Sequence, residues 1–249
     1  MPAISTKIKH YIERVLKCKI YRGWYPRGTN LIFDLKRLII AKSPVILDVG
    51  ANIGQIALEL ADEYPMSQIH ACEPNKETID GLIKNTKNVR QIICHRVALG
   101  SETGEANMHL YEGTVNNSLK AISGQGSRGS ECVSVTTLDA FCKAQEIEKI
   151  DYLKIDTEGF DLEVVQGGLE LFKEKRILVL LAEVGFSSQN TKHVKFAQFL
   201  EMMHECNMSL FGIYDQRREF DGTNALRRAD CLFIANDYEF PGLANAPDC

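Results

Sequence analysis

The sequence predicts an α/β fold: a mostly parallel sheet with helices on both faces, closed by an antiparallel C-terminal strand. Three observations carry this. Short, largely apolar runs at Val45-Ile46-Leu47, Ile69-His70-Ala71-Cys72 and Tyr152-Leu153-Lys154-Ile155 read as strands covered on both faces. Helical periodicity separates them at the spacing of βαβ units. At 249 residues the chain can bury one sizeable core.

The elements follow in order. Residues 5 to 20 place Ile8, Tyr11, Ile12, Val15 and Leu16 at helical spacing among lysines, an amphipathic helix. A turn-rich stretch from Arg22 to Gly28 leads to a second helix over Leu31 to Ile40, so residues 1–43 read as a helical extension and 44–249 as the main domain. Trp24 and Tyr25 are read as anchors of the extension, with stacking on a sugar ring as the alternative. The strand opened by Pro44 runs into Asp48 and a glycine-containing turn, and a helix follows from Gln55 to Tyr64 with Ile53, Ala57, Leu60 and Tyr64 on one face. The second strand ends at Glu73-Pro74. A helix around Ile79, Leu82 and Ile83 precedes a third strand, Val89 to Cys94. An insert at about 104–136 breaks the alternation: 106–112 and 132–136 alternate as a hairpin and flank a long loop, Gly113 to Glu131, holding Asn116 and Asn117. Long loops of this kind are functional or disordered, and a mobile flap beside the site is expected. Later come a helix from Phe160 to Phe172, a strand from Ile177 to Val184, a helix from Val194 to Met203 and strands at Leu210–Tyr214 and Cys231–Ala235.

Composition excludes several classes. No run approaches the eighteen or so apolar residues of a membrane span, and the first residues lack a secretory signal pattern, so a cytoplasmic protein is expected. Cys72, Cys94 and Cys231 lie in strand-like runs, while Cys18, Cys132, Cys142, Cys206 and Cys249 are scattered, so free thiols rather than disulfides or a zinc site are expected. In residues 1–44 ten basic residues stand against two acidic ones, +8, and the chain's net −4 leaves −12 elsewhere. Such an arm suits an anionic surface, peripheral membrane contact included; the alternative is a solvated helix docked on the acidic body.

The chemistry centres on Val45-Ile46-Leu47-Asp48-Val49-Gly50-Ala51-Asn52-Ile53-Gly54-Gln55. Glycine lets the backbone approach a ligand, and Asn52 is the non-glycine residue type best able to enter the left-handed region. A nicotinamide fingerprint is G-x-G-x-x-G around a pyrophosphate. Here the spacing is G-x-N-x-G with an acid two positions ahead. A carboxylate pointing into the crevice would repel a pyrophosphate yet suits an amino group and a sulfonium. Glu73, 25 residues on, ends the second strand, where it can accept from both hydroxyls of a ribose.

LDVGANIGQ, the CEPN turn, VALG at Val97–Gly100, TTLDAF at Thr136–Phe141 and YLKIDTEGFDLEVVQG at Tyr152–Gly167 together resemble the FkbM family of methyltransferases, from about Val45 to Ile234. The resemblance implies a Rossmann-like, class I, S-adenosylmethionine-dependent O-methyltransferase acting on hydroxyls of sugars, glycolipids or related metabolites. It places Asp48, Gly50, Ala51, Asn52, Gly54, Glu73 and Pro74 against the cofactor and Ala98-Leu99 near its adenine.

Candidate catalytic residues lie at later strand ends. Asp156 could meet the cofactor, hold a metal or act on the acceptor, unless it or Thr157 caps the next helix. Glu158 shares that turn. His193 is the candidate base and Glu183 its orienting partner or a substrate acceptor; a surface histidine at a helix start is the alternative. His70 reads as a core residue and His204 as helical. Asp156, Glu158 and Glu183 are oxygen ligands suited to magnesium, but the spacing does not demand a metal. Arg217-Arg218 and Arg227-Arg228 flank Asp221–Asn224, either as a phosphate or carboxylate clamp or as a charged hairpin tip. A glycan or small-molecule substrate is expected and a nucleic acid is not. The competing readings are another methyl acceptor, a cofactor-binding pseudoenzyme and a nicotinamide oxidoreductase.

Overall fold

A computed structural model describes residues 6–17, 25–111, 117–120, 126–220 and 222–243. Its centre is a seven-stranded sheet of β1 (Val45–Val49), β2 (Gln68–Cys72), β3 (Ile92–His95), β7 (Tyr152–Ile155), β8 (Val179–Gly185), β9 (Met208–Arg218) and β10 (Leu226–Ala235), ordered β3-β2-β1-β7-β8-β10-β9. Only β10 runs against the rest, pairing antiparallel with both β8 and β9. The class I methyltransferase-like, Rossmann-like layout expected from the sequence is therefore present.

The helices cover both faces. On one lie α2 (Leu31–Leu38), α3 (Gln55–Glu63) and α4 (Lys76–Thr86), burying Leu35, Leu38, Leu60 and Leu82. On the other lie α5 (Leu138–Ala144), α6 (Asp161–Gln166), α7 (Leu169–Lys173) and α8 (Phe196–Glu205), burying Phe141, Val164, Phe172 and Phe199. Local chemistry sets the helix starts: Asn30, Asn75 and Thr137 each accept the amide three residues on, at 2.8, 3.0 and 3.1 Å.

The expected continuous helix over 160–172 is broken in two. At Gly167 a Cβ would collide with the Gly100 carbonyl, and at Gly168 with Leu138, so this glycine pair is where another segment crosses the chain. The last helix starts at Phe196 rather than Val194, and the final two strands extend into a long hairpin. The helix α5 was not foreseen. In the insert, β5 (Gly104–Leu110) and β6 (Gly129–Thr136) pair antiparallel as expected, and β4 (Ala98–Leu99) adds to β6 to make a separate three-stranded sheet.

Within the expected extension, α2 belongs to the body: Leu35 is fully buried, and Asp34 accepts the Tyr214 hydroxyl of β9 at 2.7 Å. Tyr25 meets Phe33 edge-on at 5.1 Å, in keeping with an anchor; Trp24 lies outside the described residues. The helix α1 (Thr6–Leu16) stays exposed along its apolar side, with Leu16 66% accessible, while the Glu13 side chain on its other side is only 9% exposed. No described helix is long and apolar enough to cross a membrane. Cys72, Cys142, Cys206 and Cys231 are buried free thiols, and Cys94 and Cys132 are also unpaired; Cys18 and Cys249 lie outside the described residues.

Candidate active site

The sheet reverses its winding between β1 and β7, and the crevice of an open α/β sheet forms at such a point, beyond the carboxyl ends of the strands. There the loop after β1 makes a tight turn with Gly50, Asn52 and Gly54 all left-handed, at φ +79°, +49° and +89°. Asparagine thus does the work of a middle glycine. A Cβ at Gly50 would strike the Asp156 carbonyl, so this glycine lets the loop lie against the tip of β7.

A cleft of about 300 Å³ opens over this turn, its walls including Gly50, Ala51, Asn52, Glu73, Pro74, Ala98, Leu99 and Asp156. Eight of the ten cofactor candidates therefore share one cavity. The other two do not face it. Asp48 is fully buried, with one oxygen 3.2 Å from the Lys154 ammonium, because Asp48 and Lys154 are register neighbours on β1 and β7. The carboxylate expected to point into the crevice is turned into the sheet face, and Lys154 lines the cleft in its place. Gly54 starts α3 and packs against Leu82 of α4, where a Cβ would come within 2.6 Å.

Glu73 is buried, and its oxygens accept the Asn52 amide at 3.1 Å and the Asn75 amide at 3.0 Å. It thereby ties the β1 turn to the start of α4. Burial pushes its carboxyl up to about 7, against the pull of those two amides, and the nearby Asp48 and Glu131 raise it further.

Across the turn, Asp156 sits 3.5 Å from Lys154. It does not cap α6: the turn amides of Thr157 and Gly159 go instead to Asp161, at 3.3 and 3.2 Å. Glu158 in this turn has φ +58°, a conformation that costs a non-glycine residue about 1–2 kcal/mol, and the residue forms part of the cleft wall.

Beside it the structure gathers the β7–α6 turn, the end of β8 and the loop that follows β8. His193 is buried, not a surface histidine, and its helix begins three residues later. Its Nε2 contacts Glu183 and stands 3.7 Å from Glu158, and its Nδ1 is 3.0 Å from the Asn190 Oδ1. The amide of Asn190 has one possible orientation. Its Oδ1 also accepts the Lys192 and His193 amides, both at 3.2 Å, while its Nδ2 donates to the Arg227 carbonyl at 3.1 Å. Nδ1 of His193 must therefore carry a hydrogen, so Nε2, which faces Glu183, is the nitrogen that gains or loses a proton. Desolvation holds the imidazole below its ordinary value, whereas burial and the neighbouring Asp156 hold Glu158 above its own. A carboxylate and an imidazole brought toward each other in this way can share a proton. Lys192 lies 2.5 Å from Glu158, and Arg228 pairs with Glu183.

Of the expected magnesium ligands, Glu158 and Glu183 converge with His193, their ligand atoms within 4.8 Å of one another, but Asp156 is held by Lys154 instead. Both carboxylates in that group already have a cationic partner. Arg228 is thus turned into the site, whereas Arg227 covers Phe220 at 4.6 Å and Arg217 pairs with Asp215 at the hairpin tip. Asp221 and Asn116 lie outside the described residues, with the rest of 112–116 and 121–125. The described part of the flap does meet the site: Asn117 and Leu119 line the cleft, and Ser118 donates to the Glu158 carbonyl at 2.9 Å. His70 is in the core, stacked on His95, and His204 is on α8.

Sequence reasoning missed Lys154, Asn190, Lys192 and Asp230. Lys154 had a signal, a charged residue inside an otherwise apolar strand. A second cavity of about 370 Å³, bounded by Asn30, Glu59, Tyr152 and Asp230, adjoins the cleft and shares Ile56 and Lys154 with it. Burial, reinforced by Asp156 and Asp215, raises Asp230 to about 6.

Residues 48–210 match the family model described as Methyltransferase FkbM domain. The chain is 24% identical to the hexuronic acid methyltransferase AglP of Haloferax volcanii, over 72% of this chain and 74% of that protein. It is 26% identical to the 2-O-methyltransferase NoeI of Sinorhizobium fredii, over 57% of this chain and 64% of that one. In fold it resembles the METTL16 MTase domain, with a TM-score of 0.51 at 13% identity over 95% of this chain and 84% of that one.

Proposed function

The chain belongs to the FkbM methyltransferase family, and from that premise we propose that it methylates a sugar hydroxyl with S-adenosylmethionine as donor. One observation carries the reading: the matched segment holds Glu73 and Asp156 at the tips of the two strands flanking β1, on either side of the left-handed turn, over a single cleft. These residues fit the cofactor. An adenosine needs a carboxylate for its ribose hydroxyls and an apolar slot for its base; Glu73 supplies the first, and Cys72, Ala98 and Leu99 line the second. An amino-acid end needs acidic and amide groups, which Asp156 and the Gly50–Asn52 backbone present. When bound, the cofactor supplies an electrophilic methyl group on a sulfonium.

The protein's own part is positioning and proton removal. Glu158 is the member of the Glu158–His193–Glu183 group that lines the cleft, and so the one that would face an acceptor entering it. It takes the hydroxyl proton, which His193 Nε2 and Glu183 share. Asn190 holds the hydrogen on Nδ1, so that Nε2, against Glu183, is the nitrogen that takes part. The neighbouring cavity between α2, α3 and Asp230 gives room for the sugar. The sugar acceptor is supported by the two curated relatives, whose names specify a hexuronic acid and a 2-O position.

Radiolabelled S-adenosylmethionine incubated with a panel of neutral and uronic glycosides tests the proposal. Base-stable label on a sugar oxygen is expected. Binding of S-adenosylhomocysteine without transfer to any member would favour a binding protein, and a thermal shift with NAD but not with S-adenosylhomocysteine would overturn the cofactor assignment.

A further inference from the structure

The helix α1 carries a feature that methyl transfer does not use. Ile8, Tyr11, Val15 and Leu16 are 54%, 61%, 58% and 66% exposed, on a helix whose opposite side carries Lys9, Glu13 and Arg14, with Lys17 just past its end. At about 100° per residue the apolar side chains, Ile12 included, fill an arc of about 140°, and the charged ones fill the remainder. A soluble surface helix normally turns such a stripe onto its own core; one left facing outward marks an interaction site. We infer that α1 lies in the plane of an anionic lipid surface, its apolar stripe in the acyl boundary and Lys9, Arg14 and the following Lys17 at the headgroups.

Charge selects this occupant. The first 44 residues carry +8 while the remainder of the chain carries −12, so an anionic bilayer attracts this end and repels the body, which fixes the orientation as well as the contact. A nucleic acid or acidic polysaccharide would use the basic residues but leave the apolar stripe in water. A second copy of the helix would bring like charges together. A lipid surface satisfies both halves of the helix. The inference stands apart from the proposed chemistry, since it needs neither cofactor nor acceptor.

The full chain is mixed with phosphatidylcholine vesicles, with mixed phosphatidylcholine–phosphatidylglycerol vesicles and with heparin, and the bound fraction is read by flotation. Binding to the anionic vesicles is expected to be at least about tenfold tighter than to phosphatidylcholine alone, and to weaken as salt screens the charges. The double variant Val15→Glu, Leu16→Glu alters exposed side chains only; it is expected to lose that binding while keeping the wild-type circular dichroism and thermal midpoint. No preference for anionic vesicles, or full retention in the double variant, overturns the inference. So does heparin binding that the double variant abolishes, or a concentration-dependent dimer by light scattering that it abolishes, since these would give the stripe another occupant.

Discussion

Lowering the pH should weaken cofactor binding through one carboxyl group. Glu73 has its carboxyl at about 7 in the free protein because burial disfavours the charge, while its two backbone hydrogen bonds only partly offset that cost. Ribose hydroxyls donate to the ionised form, so an occupied cleft pulls the group back toward ordinary carboxylate values. The sign follows: protons compete with the ligand, and affinity is lost as pH falls through about 7. For a free value near 7 and a bound value near 4.5, Kd rises about tenfold from pH 8 to pH 6, or about 1.4 kcal/mol. Close to one proton is then released on binding at pH 6. Titration calorimetry with S-adenosylhomocysteine, in buffers of differing ionisation enthalpy, reads both the slope and the proton count. Glu73→Gln should flatten the slope and weaken binding at pH 8, and Glu73→Ala should abolish binding. A flat wild-type profile, or a slope that survives in Glu73→Gln, refutes the reasoning.

The remaining predictions concern the interior and the proton path. Lys154→Met strands the fully buried Asp48 carboxylate and should cost about 3–5 kcal/mol by denaturant unfolding, the loss expected when one partner of a buried pair is removed. His193→Ala should spare S-adenosylhomocysteine affinity but slow turnover about 10²–10⁴-fold; normal turnover would remove the histidine from the chemistry. Asn190→Asp places a carboxylate on the Nδ1 hydrogen, so the His193 titration followed by long-range ¹H–¹⁵N NMR should move to higher pH, and an unchanged midpoint would contradict the tautomer assignment. Because Lys192 and Arg228 already neutralise Glu158 and Glu183, incubation with EDTA should leave the rate unchanged, whereas rescue by added magnesium would make that group a metal site.

What the sequence determined by itself was local or periodic. Apolar runs alternating with helical stripes specify strands covered on both faces, and hence a wound sheet with its crevice at the strand tips. The glycine–asparagine spacing specifies a tight turn, because left-handed φ angles are cheap for only a few residue types. Glu73 and Asp156 could be placed because a strand end is a sequence position. Which way a side chain faces, and what it meets, was decided by the tertiary structure. Asp48 sits ahead of the turn just as expected, yet it is buried against Lys154, 106 residues away, because β1 and β7 pair in that register. The Glu158–His193–Glu183 group joins the β7–α6 turn to the end of β8 and the loop after it, which also holds the Asn190 brace, and only the folded sheet brings Glu158 to the other two. Spacing along the chain sets backbone conformation, but the field around a charged group comes from neighbours across space, and no local pattern encodes those.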